Sequence, residues 1–412
     1  MSADSNGQTI KEIDGGNIAS PRGFVAAGLH CGIKKRKKDL GIILSKTPAV
    51  CAAVYTTNTF SAAPLQVTKE SLSKSATQQV LIVNSGNANA FTGEQGLQDA
   101  IKMRKSIAEH YSLSPLEAIV SSTGVIGEKM PMEVILTGIS RFPKELAAAE
   151  SGGLDFCEAI MTTDTVIKAL AIELEIDQKK VVIGGAAKGS GMIHPNMATM
   201  LAYITTDVNI CKNALERALR QVTDQTFNMI TVDGDTSTND QVLVMANGLA
   251  GNAKLDEKHP QWSIFYHGLS YVAEQLAKLI ARDGEGATKL ITVNVAGAKT
   301  SEMARTIAKK IIGSNLVKTA VFGADGNWGR IVMAIGNSGF AVAEQQLEIA
   351  IGGITVVKGG QSTNYLEEQV TEALQNKDVL IDVDFHQGEE SATAWGCDLS
   401  YDYVKINASY RT

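Results

Sequence analysis

Apolar and polar positions alternate along the chain in a way that predicts short strands interleaved with amphipathic helices. "LGIILS" from Leu40, "AAVYTT" from Ala52 and "VLIVN" from Val80 are compact apolar runs of strand length. "LQDAIKMRKSIAEHY", Leu97 to Tyr111, sets Ile101, Ile107 and Tyr111 at helical spacing with charges between them. "PMEVILTGISRF" predicts a second helix with Pro131 at its first position, where a missing N–H costs nothing. "VVIG" at Val181 predicts a strand, and so does "MLAYITTDV", Met200 to Val208, which is crowded with β-branched and aromatic residues. Beyond it, helices are expected near 213–222, from Ser270 and from Ser301, and strands from Gln241 and Lys289. Ser301 offers only half a capping box, because Ala304 stands where Glu would complete it. Further strands are expected at Ala320, Leu347, Val379 and Leu399, with a helix near Tyr365 to Gln375.

This alternation predicts an α/β or α+β fold with mixed sheets covered by helices. A chain of 412 residues has room for two domains. A division near 285–300 is expected, giving a main domain 1–285 and a smaller C-terminal domain 286–412, although no linker or repeat marks it.

Composition narrows the class. Hydrophobic content of 44% and charged content of 20% are those of a globular protein with a large core. A net charge of −6 argues against a general nucleic-acid surface. The basic run "KKRKK", Lys34 to Lys38, reads as a solvated turn or strand edge. Five scattered cysteines without a CxxC pair read as reduced thiols. No apolar run has the length of a signal or membrane span, so a cytoplasmic location is expected.

Familiar motifs fail on inspection. "GGAAKGSG" carries its lysine before the second glycine, not after it as a P-loop requires. "DGDTSTND" from Asp233 starts like a calcium loop but has Thr238 and Val244 where the loop needs Gly and Glu, and so reads as a structural turn. Asp384 and His386 in "DVDFHQ" have no further histidine nearby to complete a metal site.

One stretch asks for chemistry: "KGSGMIHPNMATMLAYITTD", Lys188 to Asp207. A threonine inside a chain lacks a guaranteed base, but an N-terminal threonine carries its own α-amine for that purpose. With an ordinary pKa of about 7.7–8.0, such an amine suits proton transfer near neutral pH. Gly189 and Gly191 permit unusual dihedrals, Pro195 stiffens the approach, Ala198 is small, and Thr199 opens a strand. These features suit self-cleavage between Ala198 and Thr199. By themselves they favour the simpler reading, an ordinary loop before a core strand.

A wider pattern shifts that balance. The processing stretch is joined by "NSGNANAFTGEQG" (from Asn84), "SSTGVIGEKMP" (from Ser121), "TVDGDTSTND" (from Thr231), "RDGEGATK" (from Arg282), "GADGNWGRI" (from Gly323) and the tail "YVKINASYRT". In this order the blocks resemble those of the ornithine acetyltransferase family, also called glutamate N-acetyltransferase, of arginine biosynthesis. The resemblance implies stacked mixed sheets between helix layers, akin to the self-processing aminopeptidases. It implies autoproteolysis at Ala198-Thr199 into an α chain 1–198 and a β chain from Thr199, assembled as a heterotetramer. Thr199 would carry the acetyl group of N-acetylornithine as an ester and pass it to glutamate. Thr123 and Gly124 match the oxyanion-hole pair. Thr162, Lys188, Thr199, Glu285, Asn407 and Thr412 match substrate contacts, the last two in a tail that would return to the active site. Without the resemblance, Thr123-Gly124 is a simple turn, Thr162 a helix cap, and Lys188 and Glu285 are solvated loop charges. No metal or organic cofactor is implied. Acetyl-CoA is left open as a second donor, and an aminopeptidase or amidohydrolase of the same fold is the alternative activity. The chain departs from the family pattern at Gly326, where Pro is common, and at Phe91, where a small residue or Cys is expected.

Overall fold

The computed structural model describes residues 10–144, 146, 150–194 and 200–409. In chain order its strands are β1 (Lys11–Glu12), β2 (Phe24–Leu29), β3 (Leu40–Tyr55), β4 (Gln78–Asn87), β5 (Ala118–Val125), β6 (Lys168–Ile176), β7 (Lys179–Lys188), β8 (Leu201–Thr206), β9 (Ile230–Thr231), β10 (Gln241–Ala246), β11 (Leu290–Ala298), β12 (Glu348–Ile351), β13 (Ile354–Lys358), β14 (Gln361–Ser362), β15 (Asp378–Asp384) and β16 (Glu390–Cys397). The described helices are α1 (Ala63–Lys74), α2 (Gly93–His110), α3 (Met132–Arg141), α4 (Glu150–Ile160), α5 (Lys212–Gln225), α6 (Trp262–Arg282), α7 (Ser301–Ile312), α8 (Asn315–Phe322), α9 (Trp328–Gly336), α10 (Glu367–Leu374) and α11 (Tyr401–Asn407). The fold is mixed α/β.

The chain divides into two compact units. The first holds the described residues up to Gly189 together with 200–224 and 236–276. The second holds 190–194, Gln225–Asp235 and 277–409, so it is built from three pieces of chain and takes in residues well before 286.

The sheet of the first unit runs β1-β6-β7-β8-β10-β3-β4-β5, with β2 also paired to β3. The strand runs expected at Leu40 and Ala52 are one strand, β3. Its start pairs with β2 and β4 and its end with β10. The register on β4 shifts between Leu44 and Ala49, around Pro48, which has no N–H to give a ladder. Apolar side chains of both halves of the sheet meet in one core: Phe24 and Ile43, Leu81 and Ile119, Ala186, Leu201, Tyr203 and Leu243, with Phe156 and Ile160 of α4. A second core lies on the other face of β3, β4 and β5, where Ile42, Ile82 and Val120 meet Met103 and Ile107 of α2 and Ile135 and Ile139 of α3. The first part of α6 lies on β6 and β7, where Gly268 leaves room for Leu174 and Gly185 for Leu276.

The second unit has its own sheet, β14-β13-β12-β15-β11-β16-β9, with β11–β15 and β9–β16 parallel and the other pairs antiparallel. Buried Ile307, Ile311 and Ile312 give α7 its apolar face, and Ile312 reaches Gly396 of β16.

Several local expectations are corrected. Ala320 lies in α8, not in a strand. The buried residues Val317, Lys318, Ala320 and Val321 recur at helical spacing, and Ser314 caps the start. No strand forms at Leu399; β16 ends at Cys397 and Ser400 caps α11. The cap of α7 is Thr300, whose hydroxyl accepts from Met303 N, and Ser301 is the first helical residue. Pro131 sits one place before α3, and α6 starts at Trp262, ahead of Ser270. No helix among the described residues is long and apolar enough to cross a membrane.

Candidate active site

In the first unit, Thr123 and Gly124 are strand residues at the end of β5, not a turn. Their parallel partner β4 bulges at Gly86 and Asn87. Gly124 has φ +135° and a Cβ there would collide with the Gly86 carbonyl carbon, so the position accepts glycine only. Amide side chains lock the junction. Asn239 Nδ2 donates to Ala88 O at 2.5 Å and Ser122 O at 2.8 Å, and Asn84 Nδ2 donates to Asn87 O at 2.9 Å. Asn87 Nδ2 binds Lys129 O at 3.0 Å. Two of the sequence blocks, around Asn84 and Asn239, thus exist to hold a third in place. Rigid backing of this kind is what pre-oriented oxyanion donors need.

Lys188 closes β7 and is buried, 8% exposed, not solvated. The group that organises its surroundings is Asp164. The Asp164 carboxylate accepts from Thr162 N at 2.9 Å, Gly189 N at 2.6 Å and Lys168 Nζ at 2.7 Å. Burial would raise its pKa, but Lys188, Lys168 and these hydrogen bonds outweigh burial and hold it well below the usual carboxylate range. Asp164 therefore ties Thr162 to the end of β7. Lys34 is turned inward as well, with Nζ 2.9 Å from Met161 O. Burial brings its ammonium down to about 8, so the basic run is not uniformly solvated.

Lys188 pairs with Leu201, and Leu201 with Gln241, so one row crosses β7, β8 and β10. Gln241 N also donates to Met200 O at 2.9 Å. Next to Gln241 stands Asp240, 3% exposed. Burial raises its carboxyl well above the usual range, with Ser237 and Lys188 offsetting only part of the effect. The start of β8 is thus bordered by a lysine on one side and a buried acid on the other. Ala198 and Thr199, immediately upstream, lie outside the described residues.

In the second unit, Glu285 is buried, 7% exposed, and accepts from Asn407 Nδ2 at 2.7 Å. Its backbone N–H donates to Ser190 O at 3.0 Å. Gly191 leaves the space that the Glu285 carboxylate fills, since a Cβ there would overlap it. Burial first, and then the Asp233 and Glu285 carboxylates, push the nearby Tyr403 phenol up. The structure therefore brings Glu285 and Asn407 together. Thr412 lies outside the described residues.

Asp164, Lys168, Asp240 and Lys34 were not singled out by sequence as site-forming. The available signal was slight: Asp164 follows Thr162 by two places and precedes Lys168 by four. Phe91, the departure from the family pattern, is 76% exposed at φ +58° and meets Phe60 edge-on. Both rings line a cavity of about 360 Å³ that contains none of the expected site residues. No group of three or more metal-ligating side chains occurs among the described residues.

A model of the ArgJ family matches residues 25–412. The arginine biosynthesis bifunctional protein ArgJ of Bacillus licheniformis is 59% identical over 404 residues, 98% of each chain. That of Geobacillus kaustophilus is 55% identical over 412 residues, the whole of both chains. A crystal structure of the arginine biosynthesis bifunctional protein ArgJ of Bacillus halodurans aligns with TM-score 0.51 at 54% identity, covering 52% of this chain and 100% of that one. A match of this extent, with the expected blocks on β5, β7 and the Glu285 turn, leads to one conclusion: the chain belongs to the ArgJ family, the ornithine acetyltransferase family that its sequence blocks resemble.

Proposed function

We propose that this chain is an acetyltransferase of arginine biosynthesis that cuts itself at Ala198-Thr199 and then uses Thr199 as its nucleophile. The observation that carries the reading is the row Lys188–Leu201–Gln241 with Asp240 beside it, which sets a buried lysine on one flank and a buried acid on the other flank of the strand that Thr199 would head. Residues 199–412 are 214 of 412, or 52% of the chain. The solved relative, matched in full by 52% of this chain, is a chain of the size the cut would leave.

In the cut, Thr199 Oγ attacks the Ala198 carbonyl carbon. The C–N bond breaks, the nitrogen keeps its electron pair and takes a proton, and an ester remains. Water hydrolyses the ester to an Ala198 carboxylate and a free Thr199 hydroxyl and amine. In transfer, the amine takes the hydroxyl proton while Oγ attacks the acetyl carbon of N-acetylornithine. Thr123 and Gly124 donate to the resulting alkoxide, an interaction worth about 10²–10³ in rate per donor. The C–N bond breaks and the proton passes to the departing amine of ornithine. The amine of glutamate then attacks the acetyl ester, Oγ leaves, and its proton is restored. An acetyl thioester such as acetyl-CoA would enter by the same attack with a thiol leaving, in keeping with the word "bifunctional" in the relatives' names.

Lys188 and Thr162 are assigned to substrate binding, as are Glu285, Asn407 and Thr412, with Glu285 suited to the cationic side chain of ornithine. No cofactor takes part. The two chains would assemble as a heterotetramer in the cytoplasm. The test is intact mass under denaturing conditions followed by donor assays. Two species meeting at 198/199, glutamate-dependent acetyl transfer, and an uncut, inactive Thr199→Ala variant are expected. A single full-length species with full transfer activity would overturn the nucleophile. Acetyl release that ignores glutamate would point to an amidohydrolase instead.

A further inference from the structure

The far end of the calcium-like motif "DGDTSTND" backs β5 through Asn239 and borders β8 through Asp240, whereas its first carboxylate, Asp233, has no role in the transfer described above and yet is fully engaged. Asp233 Oδ2 accepts from Met192 N at 2.7 Å and Oδ1 from Ile193 N at 2.9 Å. Asp235 N adds a third bond to Oδ1 at 3.2 Å. The pairing continues on both sides. Ile193 O accepts from Val232 N at 2.7 Å and from the Thr231 hydroxyl at 3.2 Å, and His194 Nδ1 lies 2.9 Å from the same hydroxyl. Ile193 is 1% exposed. Ser190 Oγ donates to Asp283 O at 2.6 Å, so the run is fixed at its start too.

Met192 shows what the carboxylate holds. It sits at φ +56°, a left-handed conformation that costs a side-chain-bearing residue energy and persists only where the surroundings enforce it. Two successive N–H groups aimed at one carboxylate enforce it here. A charge-assisted pair of this kind is stronger than neutral bonds. The run so fixed ends at His194, just upstream of the proposed cut. Attack of a hydroxyl on its own preceding carbonyl is intramolecular, and its rate depends on how far the reacting atoms are confined beforehand.

We propose that Asp233 is a positioning residue for self-cleavage: it clamps the chain ahead of the scissile bond and so sets the rate of the Thr199 attack on Ala198. The inference rests on the cleavage proposed above. It assigns Asp233, the first residue of the motif, to processing of this chain and not to a metal or to the transfer step.

The test follows the full-length chain made by cell-free translation, with the cleaved fraction read over time by intact mass. Asp233→Asn keeps the shape but replaces one acceptor with a donor facing Met192 N, and is expected to cut at least about tenfold more slowly. Asp233→Glu, which keeps both acceptors, is expected to recover part of the rate. All three chains should melt together. Hydroxylamine, which opens esters, should not restore Asp233→Asn, because the clamp acts before the ester forms. Wild type cut at 198/199 with Asp233→Asn and Asp233→Ala at the same rate would overturn this inference alone. Rescue by hydroxylamine, or no gain in Asp233→Glu, would also overturn it. A wild type that never cuts would overturn this inference together with the proposed function.

Discussion

Two buried carboxylates, one in each unit, are kept in opposite ways. Asp164 is 2% exposed and is surrounded by compensation: a lysine ammonium, two backbone N–H groups and the further charge of Lys188. Glu285 is 7% exposed and its one described side-chain partner is a neutral amide on α11, a helix none of whose residues is buried. The first carboxylate is spent on the fold, since every strong interaction it can make is made internally. The second is cradled by a glycine and held by one amide on an exposed helix, an arrangement that fits the substrate contact proposed for it. The difference teaches which acidic residue to read as architecture and which as recognition, a distinction that burial alone does not make.

The comparison can be broken most forcefully at Asp164. Asp164→Ala removes the carboxylate from a fully buried ion pair with Lys168, and removing one half of a buried pair costs about 3–5 kcal/mol. Thermal or urea unfolding at pH 7 should show a loss of that order. The sign with pH is fixed by the depressed carboxyl. Its contribution is complete above the unfolded value of about 3.9 and is lost as pH falls through the lower folded value. The gap between wild type and variant should therefore close only in acid. An unchanged midpoint at pH 7 would show that Asp164 is not structural.

Asp240 sharpens the contrast within the first unit, because its pKa moves the other way. A raised carboxyl contributes stability below about pH 3.9 that is lost as pH rises toward the folded value. Asp240→Asn should flatten the decline of stability as pH rises above about 3.9, by up to about 1.4 kcal/mol per pH unit. Parallel slopes in the two proteins would refute the assignment. The mildest effect is expected at Asn407. Asn407→Ala should leave stability within about 0.5 kcal/mol, as for an exposed substitution. It should raise KM for the acetylornithine donor on the order of tenfold through a poorly held Glu285. A large fall in melting temperature with an unchanged KM would reverse the roles of the two carboxylates.

Much of the scaffold was legible before any coordinates. The strands at Val181, Met200 and Gln241 stand side by side as β7, β8 and β10, because continuous β-branched and aromatic runs have nowhere to go but a doubly covered sheet. Ala320 was misread because a three-residue apolar run, Ala320 to Phe322, is too short to show a period of its own. Lys34 was hidden inside a basic run, where reading charge as a group conceals the one ammonium that turns inward. Thr123 and Gly124 were reached through resemblance, and the bulge that makes glycine obligatory there involves residues some forty positions earlier.

The sequence alone determined the mixed α/β class, the family blocks and the residue types able to do acyl chemistry, because these depend on local pattern and composition. Tertiary structure alone decided that Asp164 is neutralised by cations, that Asp240 is held as a buried acid, and that Asp233 grips Met192 and Ile193. Those outcomes depend on which charges and N–H groups burial places within a few ångströms, and such distances are set between residues that lie far apart along the chain.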